Sequence, residues 1–159
     1  MISIERALKQ AAWADDQLFR TVAKMPQEAL GATYASESWP VGRLLHHIVT
    51  GLEWYRYVLN RTPWTDVPHP VNSEIVLQLA DYVAKLHAEI FEEAKFDDEV
   101  LEFEDEGEQR KAHRSTVVTM AAHHSSEHRA QIAAALEIHG FTGVNLDVLD
   151  LWSYEDANG

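Results

Sequence analysis

Cysteine is absent from the 159 residues. That excludes disulfides, thiolate zinc sites and any cysteine nucleophile supplied by the chain itself. Positive charge is scarce, with 13 Lys and Arg against 26 Asp and Glu, a formal net charge of −13. Such a surface repels phosphate backbones and anionic lipid, so neither nucleic acid nor a membrane is expected as a partner. Apolar runs fall far short of a membrane span. Met1-Ile2-Ser3-Ile4 already begins a periodic pattern, so neither a charged-then-apolar leader nor any setting but the cytoplasm is expected. Several reaction signatures are missing too: no Gly-rich phosphate loop, no Gly-x-Ser-x-Gly elbow, no His-Glu-x-x-His and no Glu-x-x-His pair.

What remains is an ordinary globular composition, 46% hydrophobic and 25% charged, of a length that suits one domain over residues 1–159. Histidine is plentiful, with nine residues. Metal chemistry, if the chain supports it, therefore uses nitrogen and oxygen ligands. Ser3 to Met25 predicts a first helix, stopped before Pro26, with a ridge of Ile4, Leu8, Ala11, Leu18, Val22 and Met25. Asp15 falls on that ridge; an acid at the stripe's edge reaching water is preferred over a partner for an interior cation or histidine. Gln27 to Trp39 is a polar connection. Pro40 opens a second helix, with Val41, Leu45, Ile48, Leu52, Tyr55 and Leu59 on one ridge and Leu44, Gly51 and Val58 beside it.

His46 and His47 are adjacent and cannot face the same way. His46 shares its face with Arg43, Thr50 and Glu53 and reads as solvated; His47, beside Leu44, Gly51 and Trp54, reads as the inward one. Arg61 to Asn72 holds three prolines and is a loop. Asn72 or Ser73 caps a third helix to about Lys95, with Val76, Leu79, Val83, Leu86, Ile90 and Ala94 buried and His87 nearby as a hydrogen-bonded core histidine. Val100–Glu104 and Gln109–His113, around Gly107, predict a short, frayed hairpin, and the acidic run through it a solvated surface.

Thr116 to His139, closed by Gly140, predicts the fourth helix. His124 and His128 lie one turn apart, on a face shared with Val117, Met120, Ala121, Gln131, Ile132, Ala135 and Ile138. Both imidazoles are thus expected mid-stripe rather than at its wet edge. A pair at i and i+4 can bite one ion, and His47 can complete a three-histidine set at one end of the bundle. Such a set leaves coordination positions open, which suits catalysis more than structure. Spacing alone leaves a metal site and a hydrogen-bonded core pair both open. His69, His113, His123 and His139 are assigned to surface or loop. The apolar tail, Phe141 to Gly159, is expected to dock on the body or on a second subunit. The fold class is all-α, a four-helix bundle with long connections and a possible short hairpin between the third and fourth helices.

Trp39-Pro40-Val41-Gly42-Arg43-Leu44-Leu45-His46-His47-Ile48 resembles the second-helix signature of the DinB/YfiT-like superfamily, in which a Gly is followed five residues later by a metal-binding His. His124-Ser125-Ser126-Glu127-His128-Arg129-Ala130-Gln131 resembles its fourth-helix motif, His-x3-His-Arg-Gly-Gln, and Asp150-Leu151-Trp152-Ser153-Tyr154 its closing segment. The resemblance implies His47, His124 and His128 as ligands of one divalent ion (zinc, nickel or iron) in a bundle of non-sequential topology, often a homodimer. It further implies a transferase of low-molecular-weight thiols such as bacillithiol, mycothiol or glutathione, acting on a small-molecule substrate. A related metal-assisted reaction such as hydrolysis stands beside it, with Asp15, Glu53 and Tyr55 as candidates for supporting or proton-transfer roles. Departures are Ala130 where Gly is commonest, expected to tighten packing of the fourth helix, and Asp15 where Asn is common. The alternative is a non-enzymatic bundle that binds a small molecule or acts in stress response, its histidines structural or vestigial.

Overall fold

The computed structural model describes residues 3–159; Met1 and Ile2, the first two positions of the expected amino-terminal period, lie outside the described residues. Four long helices form the body: α1 (Glu5–Ala23), α2 (Val41–Asn60), α3 (Ser73–Glu93) and α4 (Arg114–Ile138). A short helix, α5 (Leu151–Asn158), follows in the tail. Between α3 and α4 runs an antiparallel hairpin, β1 (Val100–Asp105) with β2 (Glu108–His113). Glu106 and Gly107 both have positive φ, 52° and 83°, the left-handed pair that a tight two-residue hairpin turn requires.

Packing does not follow chain order. α1 lies chiefly on α3 and α2 on α4, and the two pairs are closed by α2 on α3 and α1 on α4. The connection between α1 and α2, with its 3-10 turn at Gln27–Gly31, is long enough to allow this crossing. Buried Leu18, Phe19, Leu45, Ile48, Leu52, Leu86, Ile90, Ile132 and Leu136 supply the largest side chains of the core. Asn72 caps α3 by accepting a hydrogen bond from the Ile75 amide at 3.0 Å. The hairpin is not loose: Phe103 is buried and meets Trp54 of α2 edge-on, ring centroids 5.4 Å apart.

Several expectations need correction. Asp15 does not reach water; it is fully buried and bonded from three sides. Glu53, expected on a wet face, is also fully buried, where it accepts from Arg56 and from the Tyr82 hydroxyl of α3. Met120 and Ile138 face outward, and the buried stripe of α4 runs instead through Val117, Val118, Ala121, Ser125, Arg129, Ile132, Ala135 and Leu136. His124 and His128 therefore flank that stripe, half-buried, rather than occupying its middle. Ala130 is exposed, so its methyl tightens nothing. The tail docks only in part: Leu149 is buried and Trp13 meets Tyr154 edge-on, yet Trp152 is 78% exposed. His87 is buried and hydrogen-bonded, as expected.

Candidate metal centre

The side-by-side packing of α2 and α4 brings His47, His124 and His128 together, each half-buried, with ligand atoms all within 4.8 Å of one another. His124 stands in the middle. Its Nε2 lies 3.1 Å from His47 Nε2 and 3.0 Å from His128 Nε2. His128 is fixed from behind, its Nδ1–H donating to Gln131 Oε1 at 2.7 Å. That hydrogen bond leaves the His128 Nε2 lone pair facing inward. Trp39, at the entry to α2, packs edge-on against the His47 ring with centroids 5.0 Å apart.

Proton counting tests whether this arrangement suits a cation. A neutral imidazole carries one N–H, so a hydrogen on His124 Nε2 can serve only one of its two nitrogen contacts. The other contact is then unsatisfied. One cation shared among the three nitrogens would satisfy both: the two separations near 3 Å suit neighbouring ligands on an ion with bonds of roughly 2.0–2.1 Å, while His47 and His128, in a group that spans up to 4.8 Å, would draw together to share it. Burial, then the neighbouring His128 and His47, pushes the His124 imidazole down to about 4. Burial, then His128 and Arg43, lowers His47 as well. Both rings are thus neutral near pH 7, the state a metal ligand needs. Among the described residues no fourth His, Asp or Glu joins the three. The donor set is three ring nitrogens, one each from His47, His124 and His128.

Two clefts reach the cluster from different sides. One, about 380 Å³, opens onto His47 and His124 between Trp54, Tyr55, Trp64 and the hairpin's Asp105. The other, about 270 Å³, reaches His128 past Tyr34, Glu37 and Trp39. Concavities of about 570 and 560 Å³ lie elsewhere, beside the start of α1 and behind the later half of α4, away from the histidines. Tyr55 packs on the His124 ring with centroids 5.8 Å apart. Burial raises its hydroxyl above the usual range, helped by Glu127, so it stays protonated near neutral pH.

The other candidates stand apart. Glu53 points toward α3, where Arg56 binds it and also reaches Glu89 at 3.1 Å. Asp15 lies behind α4, accepting from His87 Nε2 at 2.7 Å, Ser125 Oγ at 2.6 Å and Arg129 Nη1 at 2.5 Å. Since Ser125 and Arg129 each follow a histidine of the cluster, this carboxylate anchors the backbone that carries both. His46 is half-buried rather than solvated, stacked on His69 at 3.8 Å and bonded to the Val67 carbonyl at 3.1 Å. His69, His113, His123 and His139 are exposed. Two supporting residues carried no role in the sequence reading: Trp39, which is near in sequence to His47, and Gln131, three residues after His128 and hence one turn along the same face.

A sequence model of the DinB family matches residues 1–157. The crystal structure of a DinB-like protein from Bacillus cereus is similar, with a TM-score of 0.60 at 19% identity, covering 87% of this chain and 95% of that one. No curated protein matches the chain.

Proposed function

Because the chain belongs to the DinB family, we propose that it is a metal-dependent enzyme acting through His47, His124 and His128, and most specifically a transferase of low-molecular-weight thiols. The observation that carries this is His124 Nε2, which lies close to two other ring nitrogens that one proton cannot satisfy together. His47, His124 and His128 would hold a divalent ion, which would supply Lewis acidity toward a thiol or water at neutral pH. The three imidazoles bind; Gln131 orients the His128 ring, and Trp39 braces that of His47. Trp54, Tyr55 and Trp64 offer flat apolar walls to the body of a small organic substrate, while Tyr55 keeps its proton for donation. The absence of cysteine fits a reaction whose sulfur arrives from outside. In this proposal residues 1–159 act as one helical-bundle domain. A second copy is the partner, to which the exposed Leu151 and Trp152 of α5 are suited.

The test is turnover of a generic aryl halide by the zinc-, nickel- or iron-loaded protein with bacillithiol, mycothiol and glutathione in turn. The expected result is thiol-dependent product with at least one pair, lost in His124→Ala. Metal bound at one equivalent with no turnover for any pair contradicts the transferase reading.

A further inference from the structure

We infer that Gly51 is a positioning residue: it is the notch in α2 that admits the His124 ring, and without it the three histidines cannot converge. This rests on the reading of His124 as a metal ligand. Gly51 sits in mid-helix, ten residues from the start of α2 at Val41 and nine from its end at Asn60. Glycine is a poor choice there, because it weakens a helix interior relative to alanine. No positive φ calls for it. The reason lies on α4. A Cβ at residue 51 would stand 2.6 Å from His124 Cε1, 2.9 Å from its Nδ1 and 3.5 Å from its Nε2.

His47, Gly51 and Tyr55 recur every four residues, so they form one ridge along α2. The His124 ring fits into the gap in that ridge, with the His47 ring at 4.8 Å on one side and the Tyr55 ring at 5.8 Å on the other. The three atoms nearest such a methyl group all belong to the His124 ring, the far end of a side chain. His124 relieves the clash by turning about its own torsions, with no need for α2 and α4 to separate. Its Nε2 then leaves the 3.1 and 3.0 Å approaches to His47 and His128. Gly51→Ala is therefore expected to spare the fold and spoil the site.

The experiment compares wild type, Gly51→Ala, His124→Ala and the double variant, with Gly31→Ala as control because nothing lies within 4 Å of a Cβ there. Zinc affinity is read by competition with a chromophoric chelator, the site by the visible spectrum of the cobalt-substituted protein, and ring placement by NOEs in the metal-free protein. Gly51→Ala should bind zinc on the order of 10–100-fold more weakly, lose the wild-type cobalt spectrum and lose the NOEs from His124 to His47 and His128. Its helicity and melting temperature should match wild type or exceed it. Adding Gly51→Ala to His124→Ala should cost nothing more, because both act through one ring. Zinc affinity within twofold of wild type, retained NOEs, or an unfolded variant each overturns the inference. If wild type binds no metal but its NOEs vanish in Gly51→Ala, the positioning role stands and the enzyme proposal falls.

Discussion

At the scale of single residues, the difference between His46 and His47 shows how one position along a helix separates two fates. The two share a backbone turn and an aromatic-rich neighbourhood. His47 meets His124 and Trp39, whereas His46 turns to His69 and the Val67 carbonyl. Replacing His47 with alanine should therefore weaken zinc binding by more than the roughly 10–100-fold typical of losing an outer partner. The same change at His46 should leave affinity within about threefold, well below that range. Equal losses at both would mean that the imidazole presented to the ion is not the one the geometry selects. Gln131 works at this scale as well: it settles which nitrogen of His128 bears the proton, and so which one faces inward.

At the scale of elements, α4 is held in register by one carboxylate. Asp15 ties α1 to α3 through His87 and to α4 through Ser125 and Arg129. Burial by itself would raise the Asp15 pKa; the His87 hydrogen bond, the Arg129 charge and the Ser125 hydroxyl outweigh it and hold the carboxyl below its usual range. Asp15→Ala leaves Arg129 buried without its counter-charge and should destabilise the protein by about 3–5 kcal/mol in urea unfolding. A folded pKa below the unfolded one means that the unfolded chain takes up more protons in acid. The stabilisation from Asp15 is thus complete above its unfolded pKa, roughly 4, and is lost as pH falls through the folded value. Unfolding free energies measured between pH 7 and pH 3 should fall more steeply for wild type than for Asp15→Asn, and parallel curves would contradict this. The same carboxylate explains what sequence could and could not show. Leu79, Val83, Leu86 and Ile90 revealed α3 because their contacts follow a simple apolar period. The central stripe of α4 is partly polar, and Ser125 has its partner 110 residues away. Counting apolar residues there shifted the phase toward Met120 and Ile138, which face water. Glu53 misled in the same way, since a charge on a helix reads as wet until Tyr82 of another helix is seen to cover it.

At the scale of the whole molecule, the bundle's crossed order is what turns three distant imidazoles into neighbours. His47 and His124 are 77 residues apart, and only the pairing of α2 with α4 closes that gap. The histidine motifs and the bundle class were readable because they depend on spacing within one helix. The clefts were not, because their walls come from the hairpin, the loop bearing Trp64 and the approach to α2. A net charge of −13 adds a long-range pull on dications.

The account is tested most directly by titrating zinc into metal-free protein by calorimetry, for wild type and for His47→Ala, His124→Ala and His128→Ala. It predicts one equivalent bound per chain in wild type and a large loss of affinity in every variant. Absence of binding, or binding that survives the loss of any one of the three rings, would contradict a single ion shared among them.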